Sequence, residues 1–134
     1  MSNEYKDWIR DQRTQLNINT RDLNNLPNGW TKSLIHALRS DLFYILGGFA
    51  EDFIVTQCKE KYGRMVIYWK WKERPYEVDE LMCLNELYDS INSIINKYSE
   101  LSYNTCVVCG KPAECYTTDW VLPFCYDCFN NGVC

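Results

Sequence analysis

Six of the eight cysteines fall in the last 29 of 134 residues, and four of these are spaced Cys106-x2-Cys109-x15-Cys125-x2-Cys128. A C-x-x-C turn can bring two thiolates to about 2.3 Å from one ion, and two such turns complete a tetrahedron of sulfurs. The spacing therefore predicts one structural Zn2+ held by Cys106, Cys109, Cys125 and Cys128 in a C-terminal zinc ribbon. Gly110, directly after "CVVC", suits the tight turn that aims backbone N–H groups at sulfur. Two other chemistries use the same residues. A redox dithiol of the thioredoxin kind belongs beside a βαβ unit, and none precedes either pair. Four thiolates also ligate iron–sulfur clusters, a less natural fit for an isolated ribbon. Cys115 and Cys134 are extras, read as free thiols, although the terminal "NNGVC" is able to reach back and replace a ligand. Cys58 and Cys83 stand alone and read as small buried hydrophobes. A zinc ion with four thiolates has no open position, so it holds structure and activates no water.

A second set of residues can bind anions. Residues 53–76 carry six cations against two carboxylates, a net of +4 in a chain whose total is −4. Lys59, Lys61, Arg64, Lys70 and Lys72 are interleaved there with Tyr62, Tyr68, Trp69 and Trp71. Cations hold phosphates and flat rings stack on bases, so Lys59, Lys61, Arg64, Tyr68 and Lys70 form a candidate ligand or partner surface. The plainer reading is a hairpin whose lysines guard an edge and whose rings fill the core. Trp120, in "TTDWVLPF", is a further candidate: a binding aromatic or an anchor between ribbon and core. The one histidine, His36, lies in a helical pattern without a nucleophile signature around it. No phosphate-cradling glycine loop or metalloprotease motif occurs, and the expectation is a non-enzymatic protein.

The elements that must position these residues are legible in the periodicity. Hydrophobic residues make up 46% and aromatics 15%, which excludes a disordered or low-complexity chain. Residues 4–18 read as a weak helix, and the Asn-rich stretch 17–29 as a loop. Thr31 is placed as the N-cap of a helix carrying Leu34, Ile35, Leu38, Leu42, Ile45 and Leu46, stopped by Gly47-Gly48. Strands follow at 53–58 and 64–71. The second strand puts Met65, Ile67, Trp69 and Trp71 on one face and Arg64, Val66, Tyr68 and Lys70 on the other. A long amphipathic helix over 78–101 then covers the hairpin, its stripe running through Val78, Leu81, Leu84, Leu87, Ile91, Ile94, Tyr98 and Leu101, widened by Met82, Tyr88 and Ile95. The fold class is α+β, with a core over 1–105 and a ribbon module over 106–134. The longest apolar stretch, "LFYILGGFA", is far short of a membrane span, and the polar opening "MSNEYKDWIRDQR" has no signal-peptide character. The expectation is a cytoplasmic protein with reduced thiols and no membrane association.

The order of motifs resembles a widespread family of small bacterial and phage proteins of largely uncharacterised function. That pattern has a Gly-Trp pair before a helix, a strand reading Q-x-K-E-K-F-G-x-L-R-F-Y, a helix, and a C-x-x-C-G-x-P-G … G-W-x-x-T-L-C-x-x-C ribbon. This chain has Gly29-Trp30, "QCKEKYGRMVIY" at 57–68, "CVVCGKPA" at 106–113 and "DWVLPFCYDC" at 119–128. It departs at Val66, where the family has Arg, at Ala113, where it has Gly, and at Pro123-Phe124, where it has Thr-Leu. The resemblance implies a cytosolic accessory protein, phage-borne, without catalysis, that modulates a host or regulatory target by binding it. A protein partner is the first expectation. Nucleic acid or a nucleotide signal held by the basic hairpin is the second, and a metal-dependent or redox enzyme the third.

Overall fold

The computed structural model describes residues 20–72 and 78–131, with side chains over 21–72 and 85–130. The helix expected over 4–18 and the extra cysteines Cys83 and Cys134 lie outside the residues so described. The order of elements is α1 (Thr20–Asn25), α2 (Asn28–Ser33), α3 (Ile35–Leu46), a 3-10 turn (Gly47–Asp52), β1 (Phe53–Lys61), β2 (Arg64–Trp71), α4 (Val78–Tyr103), β3 (Cys115–Tyr116), β4 (Pro123–Phe124) and α5 (Tyr126–Asn131). This is a mixed α+β fold whose C-terminal segment carries the cysteine cluster. No helix among the described residues is long and apolar enough to cross a membrane.

The hairpin has the expected faces. Met65 and Ile67 are buried, Trp69 and Trp71 are packed against the same cluster, and Tyr68 and Lys70 are exposed. The antiparallel register pairs Phe53 with Trp71, Val55 with Trp69, Cys58 with Ile67 and Glu60 with Met65 on the covered face. A β-bulge between Val55 and Gln57 switches the inward residues of β1 from odd to even numbers. That switch turns Lys59 and Lys61 to the outer face, opposite Val66 and Arg64. The connection is two residues, Tyr62 at φ 53° and Gly63 at φ 82°, the left-handed pair that matches the twist of a tight hairpin.

Helix α4 covers the hairpin. Ile91, Ile95 and Tyr98 are buried against it and α3, and burying an isoleucine side chain stabilises by about 1.5–3 kcal/mol. Trp69 Nε1 donates to Asn92 Oδ1 at 3.1 Å, and its ring meets Tyr88 at 5.3 Å and Phe53 at 5.1 Å. The stripe differs from expectation near its end. Leu101 is 41% exposed, while Ser102 is fully buried. The free edge of β2 explains the serine: its Oγ accepts the Met65 N–H at 2.8 Å and donates to Ser99 O at 2.6 Å. A leucine there would leave a buried strand N–H unpaired.

The stretch expected as a loop over 17–29 holds α1 and the start of α2. Asp22 in α1 accepts the Cys58 N–H at 3.2 Å, tying the helix to the strand. Thr31 is not an N-cap, because α2 begins at Asn28 and the Thr31 hydroxyl donates to Pro27 O at 3.4 Å. Helix α3 follows after Leu34 and buries Ile35, Leu38, Leu42 and Leu46; it ends where expected, at Gly47 with φ 53°.

Candidate metal centre and the surfaces around it

Each C-x-x-C pair is built by backbone hydrogen bonds. In the first, Gly110 N donates to Cys106 O at 3.1 Å and Cys106 N to Lys111 O at 2.8 Å, with Gly110 at φ 82°. In the second, Cys125 follows β4 and Cys128 lies in the first turn of α5. Cys128 N points at Cys125 Sγ, 3.4 Å away. Val107 N donates to Pro123 O at 3.0 Å, so the two turns are bonded to each other.

The sulfurs of Cys106, Cys109, Cys125 and Cys128 all lie within 4.8 Å of one another, close enough for one metal ion. Cys109 and Cys125 approach to 3.7 Å. Cys106, Cys125 and Cys128 are buried and Cys109 is half-buried. Burial resists ionisation of Cys106, but N–H groups of Cys125, Cys109 and Val108 outweigh it and bring its thiol down to about 7. The Cys128 N–H favours the Cys125 thiolate, yet burial and the neighbouring thiols leave that group raised. Loss of protons as one ion binds would resolve this crowding of acidic thiols.

Cys58, Cys106, Cys109 and Cys115 are free thiols. Cys128 is disulfide-bonded, a feature the sequence reading did not expect. A sulfur in a disulfide is no thiolate ligand, so that bond and a four-thiolate centre are alternatives for Cys128. Cys115 stands outside the cluster; its Sγ donates to Phe124 O at 3.5 Å across the β3–β4 pair. Cys58 is a buried thiol, pushed up to about 12 by burial and by the Asp22 charge.

The first cysteine turn is seated on α2. A Cβ placed on Gly29 would meet Cys106 O at 2.0 Å, Gly110 N at 2.7 Å and Val107 C at 2.9 Å. Gly29 N donates to Val107 O at 2.8 Å, and Ser33 Oγ donates to Gly29 O at 2.7 Å. Trp30 is fully buried and its indole N–H donates to Thr105 O at 3.0 Å. Sequence reasoning quoted Gly29-Trp30 only as part of the resemblance and gave neither residue a task. A Gly-Trp pair directly after the Asn-rich, Pro-containing stretch was the available signal.

The expected binding residues fall in two places. The hairpin register puts Lys59, Lys61, Arg64, Tyr68 and Lys70 on the outer face. Lys59 Nζ sits 5.7 Å from the Tyr68 ring, which is 45% exposed. Arg64 is already engaged: its guanidinium lies 4.2 Å over the Tyr103 ring and its Nε bonds Glu100 Oε1 at 3.3 Å. Trp120 lies apart from that face and, though exposed, links ribbon to hairpin. It is 69% exposed, and its indole N–H donates to Glu60 Oε1 at 3.2 Å, beside the hairpin turn. His36 is exposed on α3.

Compared with family models, curated proteins and solved structures, the chain matches none of them.

Proposed function

We propose that this is a non-enzymatic zinc-ribbon protein that acts in the cytoplasm by binding a protein target, the host or regulatory protein of a phage-type accessory factor. One observation carries the reading: the bulge and register gather Lys59, Lys61, Tyr68 and Lys70 on an exposed hairpin face, while four cysteines cluster with nothing but sulfur around a candidate ion. Thiolates select zinc over hard cations, and four of them saturate it, so the ion's work is to staple the ribbon. The outer face offers cations and a ring to a partner with an acidic surface. The same face favours, as a second reading, an anionic ligand such as a nucleotide or single-stranded nucleic acid, since Lys59 and Tyr68 stand side by side.

Native mass spectrometry of protein purified from its own cells tests both parts. The expected mass is one chain with one zinc ion plus a partner. Cys109→Ser should lose the zinc, whereas Cys134→Ser should keep it. Lys59→Glu should release the partner with the zinc retained, and binding should weaken as salt rises. Stoichiometric zinc loss in Cys134→Ser would overturn the ligand set. A salt-insensitive partner indifferent to Lys59→Glu would overturn the hairpin face as its site.

A further inference from the structure

The hairpin turn and the ribbon loop meet around a cavity of about 340 Å³ lined by Glu60, Lys61, Tyr62, Asp119, Trp120 and Val121. Two of the most exposed rings among the described residues border it, Tyr62 at 76% and Trp120 at 69%. Tyr62 occupies a left-handed position, φ 53°, that favours glycine or asparagine, and holding a bulky residue there is strained. Trp120 is held in place by its loop: Thr117 Oγ1 donates to Trp120 O and accepts the Leu122 N–H at 2.9 Å, while Thr117 N donates to Leu122 O at 3.2 Å. The indole is pinned from the other side by Glu60 Oε1, and Glu60 Oε2 accepts the Gly63 N–H at 2.9 Å. Hairpin and ribbon are in close contact here, since a Cβ on Gly63 would meet Val121 O at 2.9 Å.

The lining has a definite chemical preference. Ring faces carry the negative lobes of the aromatic quadrupole, and two carboxylates stand beside them against one ammonium. Both Glu60 oxygens are engaged, which leaves the exposed Asp119 carboxylate as the acceptor for an incoming group. The structure already shows a cation in this setting, with Lys61 Nζ 5.9 Å from the Tyr62 ring centroid. A planar guanidinium suits the site best, because it stacks on a ring while its edge bonds a carboxylate in a fork. We infer that the cavity between Tyr62 and Trp120 receives an arginine side chain of a partner protein, with Asp119 as its carboxylate partner. This goes beyond the outer-face reading, rests on Tyr62, Trp120 and Asp119 with only Lys61 shared between the two surfaces, and calls for the opposite charge.

The test follows the indole N–H resonance of Trp120 in 15N-labelled protein during titration with the peptide acetyl-Gly-Arg-Gly-amide. A saturable shift with a millimolar midpoint is expected. The same peptide with neutral citrulline in place of arginine should bind at least tenfold more weakly. Asp119→Asn should weaken the arginine peptide about fivefold or more, and Trp120→Phe, which keeps a ring, should bind better than Trp120→Ala, both followed through the backbone amides of Tyr62 and Gly63 because the indole is gone, with zinc content unchanged in both. Lys59→Glu, which tests the outer face, should leave this titration as it is. Equal binding of the citrulline peptide, a shift driven instead by adenosine monophosphate or an acidic peptide, indifference to Asp119→Asn, or no response to the arginine peptide at tens of millimolar would each overturn the assignment.

Discussion

Replacing Gly29 with alanine tests whether the cysteine cluster depends on α2. The added Cβ would stand 2.0 Å from Cys106 O, 2.7 Å from Gly110 N and 2.9 Å from Val107 C. All three neighbours are backbone atoms, so no side chain can swing away. An ordinary contact begins near 3.4 Å, so the turn must retreat by about 1.4 Å from the closest atom. Overpacking of this kind costs about 1–3 kcal/mol. Retreat also stretches the Gly29 N to Val107 O bond, now 2.8 Å, worth about 0.5–1.5 kcal/mol. The two together give about 1.5–4.5 kcal/mol. The carbonyl that must move belongs to Cys106, itself a candidate ligand, so metal affinity should fall about ten- to hundredfold, as when the support of a ligand is lost. Urea melts of the zinc-loaded protein and competition with a chromogenic chelator read the two effects. Gly48→Ala is the control, because a Cβ there meets nothing within 4 Å. If Gly29→Ala behaves like Gly48→Ala in both assays, the ribbon is not seated on α2 and the role given to Gly29 is wrong.

Tyr98 and the hairpin faces supply the other two expectations. Burial, the hydrogen bond to Asp41 and that residue's charge raise the Tyr98 phenol above its ordinary 10.0, so its contribution is fully present below about pH 10 and is lost as pH climbs towards the folded value. Tyr98→Phe, which removes a 2.5 Å bond to Asp41 Oδ2, should cost about 1.5–3 kcal/mol at neutral pH and flatten the alkaline part of the stability curve; an unchanged alkaline slope contradicts the assignment. Trp69→Ala should destabilise by about 3 kcal/mol, the low end for an aromatic truncation because the ring is only partly buried, while Tyr68→Ala should cost under about 1 kcal/mol and weaken partner binding. Denaturant melts showing the reverse order would mean that the covered and open faces of β2 have been exchanged.

The parts legible in the sequence were those with a long period. Alternation over Met65, Ile67, Trp69 and Trp71 located the covered face of β2, because a pleated strand has no other way to bury four large residues together. Two C-x-x-C pairs located the cluster for a comparable reason: a pair of thiols at that spacing shares one turn wherever it occurs. Helices α1 and α2 were hidden because six residues hold less than two helical turns, too few for a period to show. They form through tertiary support, from the Asp22 bond to Cys58 and the packing of Trp30. Ser102 was hidden by its polarity, which serves an edge N–H that no sequence pattern announces.

The cavity at Tyr62 and Trp120 was out of reach for a different reason. Its two rings are 58 residues apart, on a hairpin and a ribbon that periodicity treats as separate modules. What joins them is a chain of contacts, each trivial by itself: Gly63 against Val121 O, and Glu60 bonded both to the hairpin turn and to the Trp120 indole. Glu60 lies within the "KEKYG" stretch, where the two lysines drew the functional reading and the acid between them drew none. Its register explains its task. Paired with Met65 at the covered end of β1, it cannot join Lys59 and Lys61 on the outer face, so its carboxylate turns towards the ribbon. The same five residues thus serve two surfaces of opposite charge preference, cationic on the outer face and aromatic–acidic at the tip. A partner that engages both must present acidic groups and a protruding cation within the reach of one hairpin, and charge reversal at Lys59 and neutralisation at Asp119 should weaken it independently.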